Sequence, residues 1–105
     1  MNLKDDHELI RRYREAHDPE HFWREIGNGI KQVGILEMEI YISSNHLVMI
    51  VDAPLDFKWD EAMAHLATLP RQAEWEQHVA QFQDCSVQAT SDEKWQMAER
   101  IFKIY

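Results

Sequence analysis

The sequence predicts one α+β domain whose elements run stub, helices, strand, strand, helices, strand. Three observations carry that prediction. Apolar residues recur at helical spacing up to Gly34, the period then falls to two, and Pro19, Pro54 and Pro70 fall between the periodic runs. At 105 residues the chain is long enough for a single core, so residues 1–105 are expected to form one domain.

Asp5 or Asp6 can cap a helix that begins near His7, because a short carboxylate accepts a hydrogen bond from a free first-turn amide. Leu9, Ile10, Tyr13 and Ala16-His17 share one face of that helix. Pro19 disfavours helical geometry at Asp18 and sets a break there. Phe22, Trp23, Ile26, Ile30 and Val33 form a second stripe that stops at Gly34, a C-terminal cap.

Beyond Gly34, Met38, Ile40 and Ile42 alternate with Glu37, Glu39 and Tyr41, as in a strand with one covered face. Ser43 to His46 reads as a turn and Leu47 to Val51 as a continuous apolar run, which predicts a hairpin closed by Pro54. From Asp56 to Leu69 the apolar spacing is helical, and Pro70 ends that helix. Another helix starts near Arg71, with Trp75, Val79 and Phe82 on one face. Asp84 to Asp92 reads as loop. The final segment sets Trp95, Met97, Glu99, Ile101, Lys103 and Tyr105 against Gln96, Ala98, Arg100, Phe102 and Ile104, a long strand.

If Met1 to Lys4 is the remnant of a truncated first strand, this order is the ferredoxin-like βαββαβ pattern. The last strand is apolar on both faces and needs covering, which predicts a symmetric dimer.

Composition narrows the function. Nineteen acidic against 11 basic residues give a net charge of −8, which disfavours a nucleic-acid partner. No apolar run approaches the roughly 20 residues of a membrane span, and the polar start Met1 to Asp6 carries no signal-peptide pattern. One cysteine, Cys85, rules out an internal disulfide and fits the cytosol. Glycine-rich phosphate loops, paired cysteines and nucleophile elbows are all missing, so nucleotide and covalent chemistry are not expected.

Histidine is the over-supplied reactive type, at six residues. His17 and His21 have the spacing of paired metal ligands, but Pro19 interrupts the helix between them, and no metal site is expected. His7, His46, His65 and His78 read as surface or turn residues. His17 ends an amphipathic helix one turn beyond Tyr13, where it either serves the helix dipole or carries acid/base chemistry. Trp23, Trp75 and Trp95 fall on apolar stripes and fill the core. Trp75-Glu76 also offers a stacking face for a sugar beside an acceptor for its hydroxyls.

The run Leu3-Lys4-Asp5-Asp6, Tyr13-x-x-x-His17, Pro19 and Trp23 resembles the opening of the L-rhamnose mutarotase family. The resemblance continues through Gly34 to Tyr41, Asn45-x-Leu47-x-Met49-Ile50, Glu74-Trp75-Glu76, Phe82-Gln83 and Glu93 to Lys103, and so covers essentially the whole chain. The segments Met38 to Tyr41 and Trp95 to Lys103 are more similar to the L-fucose branch than to the rhamnose-specific one.

The resemblance implies a dimeric α/β-barrel of ferredoxin-like fold that interconverts the α and β anomers of 6-deoxy-L-hexoses without a cofactor. It places the acid/base histidine at His17 and a substrate-contacting tyrosine at Tyr13. The rhamnose branch has a second tyrosine where this chain has Met38, and a Trp-Trp pair where it has Trp75-Glu76; both departures favour a sugar with a different hydroxyl arrangement from rhamnose, such as L-fucose. A full first strand normally precedes the Lys-Asp-Asp turn, and here most of it is missing.

The expected mechanism is proton transfer at the anomeric hydroxyl and ring oxygen by His17, with Tyr13 orienting, Trp75 stacking, Glu76 accepting a hydroxyl and Trp23 as a further wall. The alternative is a non-catalytic dimeric α/β-barrel that binds a sugar or metabolite or serves as an interaction module. An oxygenase on the same barrel is disfavoured by where the resemblance of Tyr13 and His17 leads.

Overall fold

A computed structural model describes residues 1–85, 89 and 91–104 of the chain. The elements are α1 (His7–Ala16), α2 (Arg24–Gln32), β1 (Glu37–Ser43), β2 (His46–Asp52), α3 (Trp59–Leu66), α4 (Gln72–Ala80) and the short α5 (Ser91–Lys94). The α+β class holds.

Each boundary has a local cause. Asp6 caps α1, its Oδ1 accepting from the Leu9 N–H at 3.0 Å. After Pro19 the chain turns on Asp18, whose Oδ1 accepts from the N–H groups of Glu20 and His21 at 3.0 and 2.9 Å. At the far end of α2, Gly34 takes φ +103°, the left-handed conformation in which a side chain is strained. Gly29 lies where α2 meets α3, and a Cβ there would come within 3.3 Å of Leu66 Cδ1.

The predicted hairpin forms, with Ser44 and Asn45 between its strands. Met38 faces Val51, Ile40 faces Met49 and Ile42 faces Leu47, and this inner face packs on the core. Tyr41 opposite Val48, and Glu39 opposite Ile50, make the outer face, where Tyr41, Val48 and Ile50 remain about half exposed. The continuous apolar run of β2 therefore divides between two faces and is not buried on both.

Leu3, Tyr13, Ile26, Leu47, Trp75, Val79 and Phe82 form one core cluster; Ile35, Ala62, Met63 and Leu66 form a second under α3. Ile30 of α2 touches both.

Two strand expectations change form. The stub Met1 to Lys4 is a pair of isolated bridges: Asn2 to His46 on one side and Leu3 to Gln83 on the other, both antiparallel. Residues 96–104 belong to no helix or strand, and Met97, Ile101, Phe102 and Ile104 are exposed. Alternation sets which side chains share a face, but a strand also needs a neighbouring backbone, and the described residues supply none here. Tyr105, predicted within that strand, lies outside the described residues, as do residues 86–88 and 90 of the predicted loop from Asp84 to Asp92. Ser91 and Asp92, taken as loop, belong to α5. Among the described residues no helix is long and apolar enough to cross a membrane.

Candidate functional site

The end of α1, the turn after it, one face of α4 and the inner face of the hairpin enclose a cavity of about 360 Å³. That volume falls within the range of about 300–1,000 Å³ usual for small-molecule sites. Tyr13, His17, Phe22, Trp75 and Glu76 line one side, and Met38, Ile40 and Met49 of the hairpin line another.

His17 stands where α1 stops. Its main-chain N–H turns to the Arg14 carbonyl at 3.1 Å, and the Tyr13 carbonyl receives the imidazole instead, with Nδ1 2.8 Å away. A carbonyl only accepts, so Nδ1 carries the hydrogen and donates. In the neutral ring the lone pair is then on Nε2. Burial pushes His17 below the ordinary imidazole pKa, the bond to the Tyr13 carbonyl opposes this, and the nearby His78 adds to it. At neutral pH the ring is therefore an uncharged base.

Aromatic rings hold it in place. The Tyr13 ring lies 4.4 Å from the imidazole centroid, and Trp75 meets the imidazole edge-on at 5.3 Å. Phe22 packs edge-on against Trp75 at 5.2 Å. Tyr13 is buried with Gln83 hydrogen-bonded to its side chain. Burial, reinforced by the charge of Glu76, pushes the phenol up to about 12 against the opposing pull of Gln83. Tyr13 therefore remains a protonated donor throughout the neutral range.

The polar end of the cavity is built on α4. Glu76 Oε1 accepts from Gln72 Nε2 at 2.8 Å, and Glu76 Oε2 accepts from Lys94 Nζ at 2.7 Å. The ammonium also reaches the Glu76 carbonyl at 3.3 Å, and the Lys94 side chain is 1% exposed.

Four of the residues singled out in the sequence thus meet at one cavity: His17, Tyr13, Trp75 and Glu76. Trp23 is not among its lining residues. It stands one ring behind, edge-on to Trp75 at 5.2 Å and under the Arg71 guanidinium at 4.0 Å. His21 turns away from the site and pairs, exposed, with Asp18.

Sequence reasoning missed His78, Gln72, Gln83 and Lys94. His78, read as a surface residue, is half buried and stacks on Trp23 at 5.3 Å, with Trp75 at 5.8 Å. Gln72 was findable, being three and four residues before Trp75 and Glu76 on a helix and hence on their face. Lys94 arrives from a different element and left no local signal.

The L-rhamnose mutarotase family model matches residues 1–104 of the chain. An L-fucose mutarotase from Xanthomonas campestris pv. campestris is 35% identical over 99% of this chain and 83% of its own length. A UPF0734 protein of Dictyostelium discoideum is 29% identical over 79% of this chain and 66% of its own. No solved structure matches.

Proposed function

The chain belongs to the L-rhamnose mutarotase family, a family of sugar mutarotases, and from that premise we propose that it interconverts the α and β anomers of a 6-deoxy-L-hexose, with His17 as the acid/base group. The observation that carries this reading is the half-buried imidazole of His17, its Nδ1 tied to the Tyr13 carbonyl and its ring set beside Tyr13 and Trp75 on a cavity of sugar size.

Mutarotation moves one proton and one bond. Nε2 takes the proton of the anomeric hydroxyl as the bond from the anomeric carbon to the ring oxygen breaks. The imidazolium gives that proton to the departing ring oxygen, leaving an open-chain aldehyde and a hydroxyl. Rotation presents the other aldehyde face, and the reverse transfers close the ring as the other anomer. No atom is gained or lost. Positioned acid/base groups contribute about 10²–10⁴-fold, enough for a reaction that already proceeds in water. Tyr13 donates a hydrogen bond that orients the sugar, Trp75 stacks on its C–H face with Trp23 bracing that wall, and Glu76 marks the hydroxyl-binding end.

L-fucose is the favoured substrate over L-rhamnose. Met38, on the cavity wall, stands where the rhamnose branch has a tyrosine, and the Xanthomonas relative is named an L-fucose mutarotase.

A homodimer of ferredoxin-like α/β-barrels in the cytosol completes the proposal. Its support is the exposed apolar surface of Tyr41, Val48 and Ile50 on the hairpin and of Ile101, Phe102 and Ile104 in the last segment, which a second copy would cover. The test is to add the protein to freshly dissolved L-fucose and L-rhamnose and follow optical rotation. Faster decay to the equilibrium rotation is expected. Decay at the buffer rate with both sugars, together with measurable binding, would favour a non-catalytic sugar-binding module instead.

A further inference from the structure

Glu76 does more than line one end of the cavity. The carboxylate receives the Gln72 amide nitrogen at 2.8 Å, and this settles which way the amide points: its nitrogen faces Glu76 and its oxygen faces elsewhere. Gln72 is 5% exposed and lines the cavity. Its Oε1 is a buried acceptor without a hydrogen-bond partner among the described residues. Native proteins rarely leave such an atom unpaired, since the desolvation goes uncompensated. A small turn about the soft terminal torsion would bring the oxygen towards the cavity that Gln72 lines while the nitrogen stays at Glu76.

Lys94 is what keeps the arrangement in place. From α5 its ammonium grips Glu76 at the carboxylate, 2.7 Å, and at the main chain, 3.3 Å. With one carboxylate oxygen on Lys94 and the other on Gln72, Gln72 Oε1 is left as an acceptor with no donor among the described residues.

We propose that Gln72 is a specificity-determining residue that accepts a hydrogen bond at Oε1 from one hydroxyl of the sugar, and that Lys94 is the positioning residue that orients Glu76 and, through it, the Gln72 amide. The proposal rests on the mutarotase reading of the cavity and adds how one hydroxyl is selected. A site that hydrogen-bonds a substrate hydroxyl discriminates against the analogue lacking it, because the buried partner is then left unpaired.

The experiment measures anomeric exchange by saturation-transfer NMR with L-fucose and its 2-, 3- and 4-deoxy analogues, on wild type and on Q72M, K94M and K94R. Wild type should show a KM about tenfold higher for one of these analogues. Q72M should raise KM for L-fucose about tenfold, with a smaller change in kcat, and should no longer distinguish L-fucose from that analogue. K94M should shift KM in the same direction, and K94R should restore it, which simple loss of packing would not produce. Wild type that treats every analogue like L-fucose, or a Q72M variant that keeps the discrimination, would overturn the assignment of Gln72. A K94R variant indistinguishable from K94M would overturn that of Lys94. Wild type that accelerates exchange of no sugar would instead remove the mutarotase reading beneath both.

Discussion

His17 is tied through Nδ1 to the main-chain carbonyl of Tyr13, 2.8 Å away, so the last turn of α1 decides which imidazole nitrogen is left as the base. His17→Ala removes that base while exposing little of the core, since the ring is only half buried. Anomeric exchange should fall by about 10²–10⁴-fold, towards the buffer rate, with the far-ultraviolet circular dichroism unchanged. A variant that folds and retains wild-type exchange would take His17 out of the mechanism.

His17 and His21 should titrate on opposite sides of the ordinary imidazole value of 6.5, because burial lowers the first and hydrogen bonding to Asp18 raises the second. Exchange activity that needs neutral His17 should rise with pH through an ionisation below 6.5 and then level off. Stability follows the same logic. Below 6.5 the unfolded chain protonates position 17 more readily than the folded one, so the His17 contribution is complete above that value and lost as pH falls through it. For His21 the contribution is present below 6.5 and lost as pH rises through its raised value; this exposed pair adds little. Imidazole resonances followed by NMR from pH 4 to 9 would check both directions, and coincident curves would contradict them.

Tyr13→Phe keeps the ring against His17 and deletes the hydroxyl that bonds the buried Gln83 side chain. Leaving that amide without its partner should cost about 1–3 kcal/mol in denaturant unfolding. Exchange should slow mainly through a higher KM, since the role proposed for Tyr13 is to orient the sugar and not to move a proton. A fall in kcat alone would reassign it to the chemical step.

Ile50→Lys places a charge on the outer face of the hairpin, beside exposed Val48 and Tyr41. Wild type should sediment as a dimer and the variant as a folded monomer, because the side chain points away from the inner face that packs on the core. A variant that still dimerises would move the interface elsewhere.

Local patterns made most of this legible. Asp6, Pro19, Gly34 and the alternation from Met38 to Ile42 each carry a backbone cause within a few residues, and the helices and hairpin follow. Tyr13 and His17 stand one helical turn apart, Trp75 shares a face with Val79 and Phe82, Glu76 is its neighbour in sequence, and the family resemblance joined them into one site. What stayed hidden depended on partners distant in sequence. Lys94 meets Glu76 across 18 residues, and His78 acquires its stacking only once α2 and α4 have packed. The predicted last strand shows the same limit, since alternation in residues 95–104 cannot say which backbone will pair with them.

Leu3 is fully buried, its N–H bonded to Asn45 O at 2.7 Å, while the next amide, on Lys4, bonds Phe82 O at 2.9 Å. The chain thus ties its leading residues between the hairpin turn and the end of α4 and seats Leu3 in the core, where a loose tail is usual. Clipping them would open the hydrophobic centre to water rather than trim a margin. Affinity handles and fluorophores are better attached elsewhere.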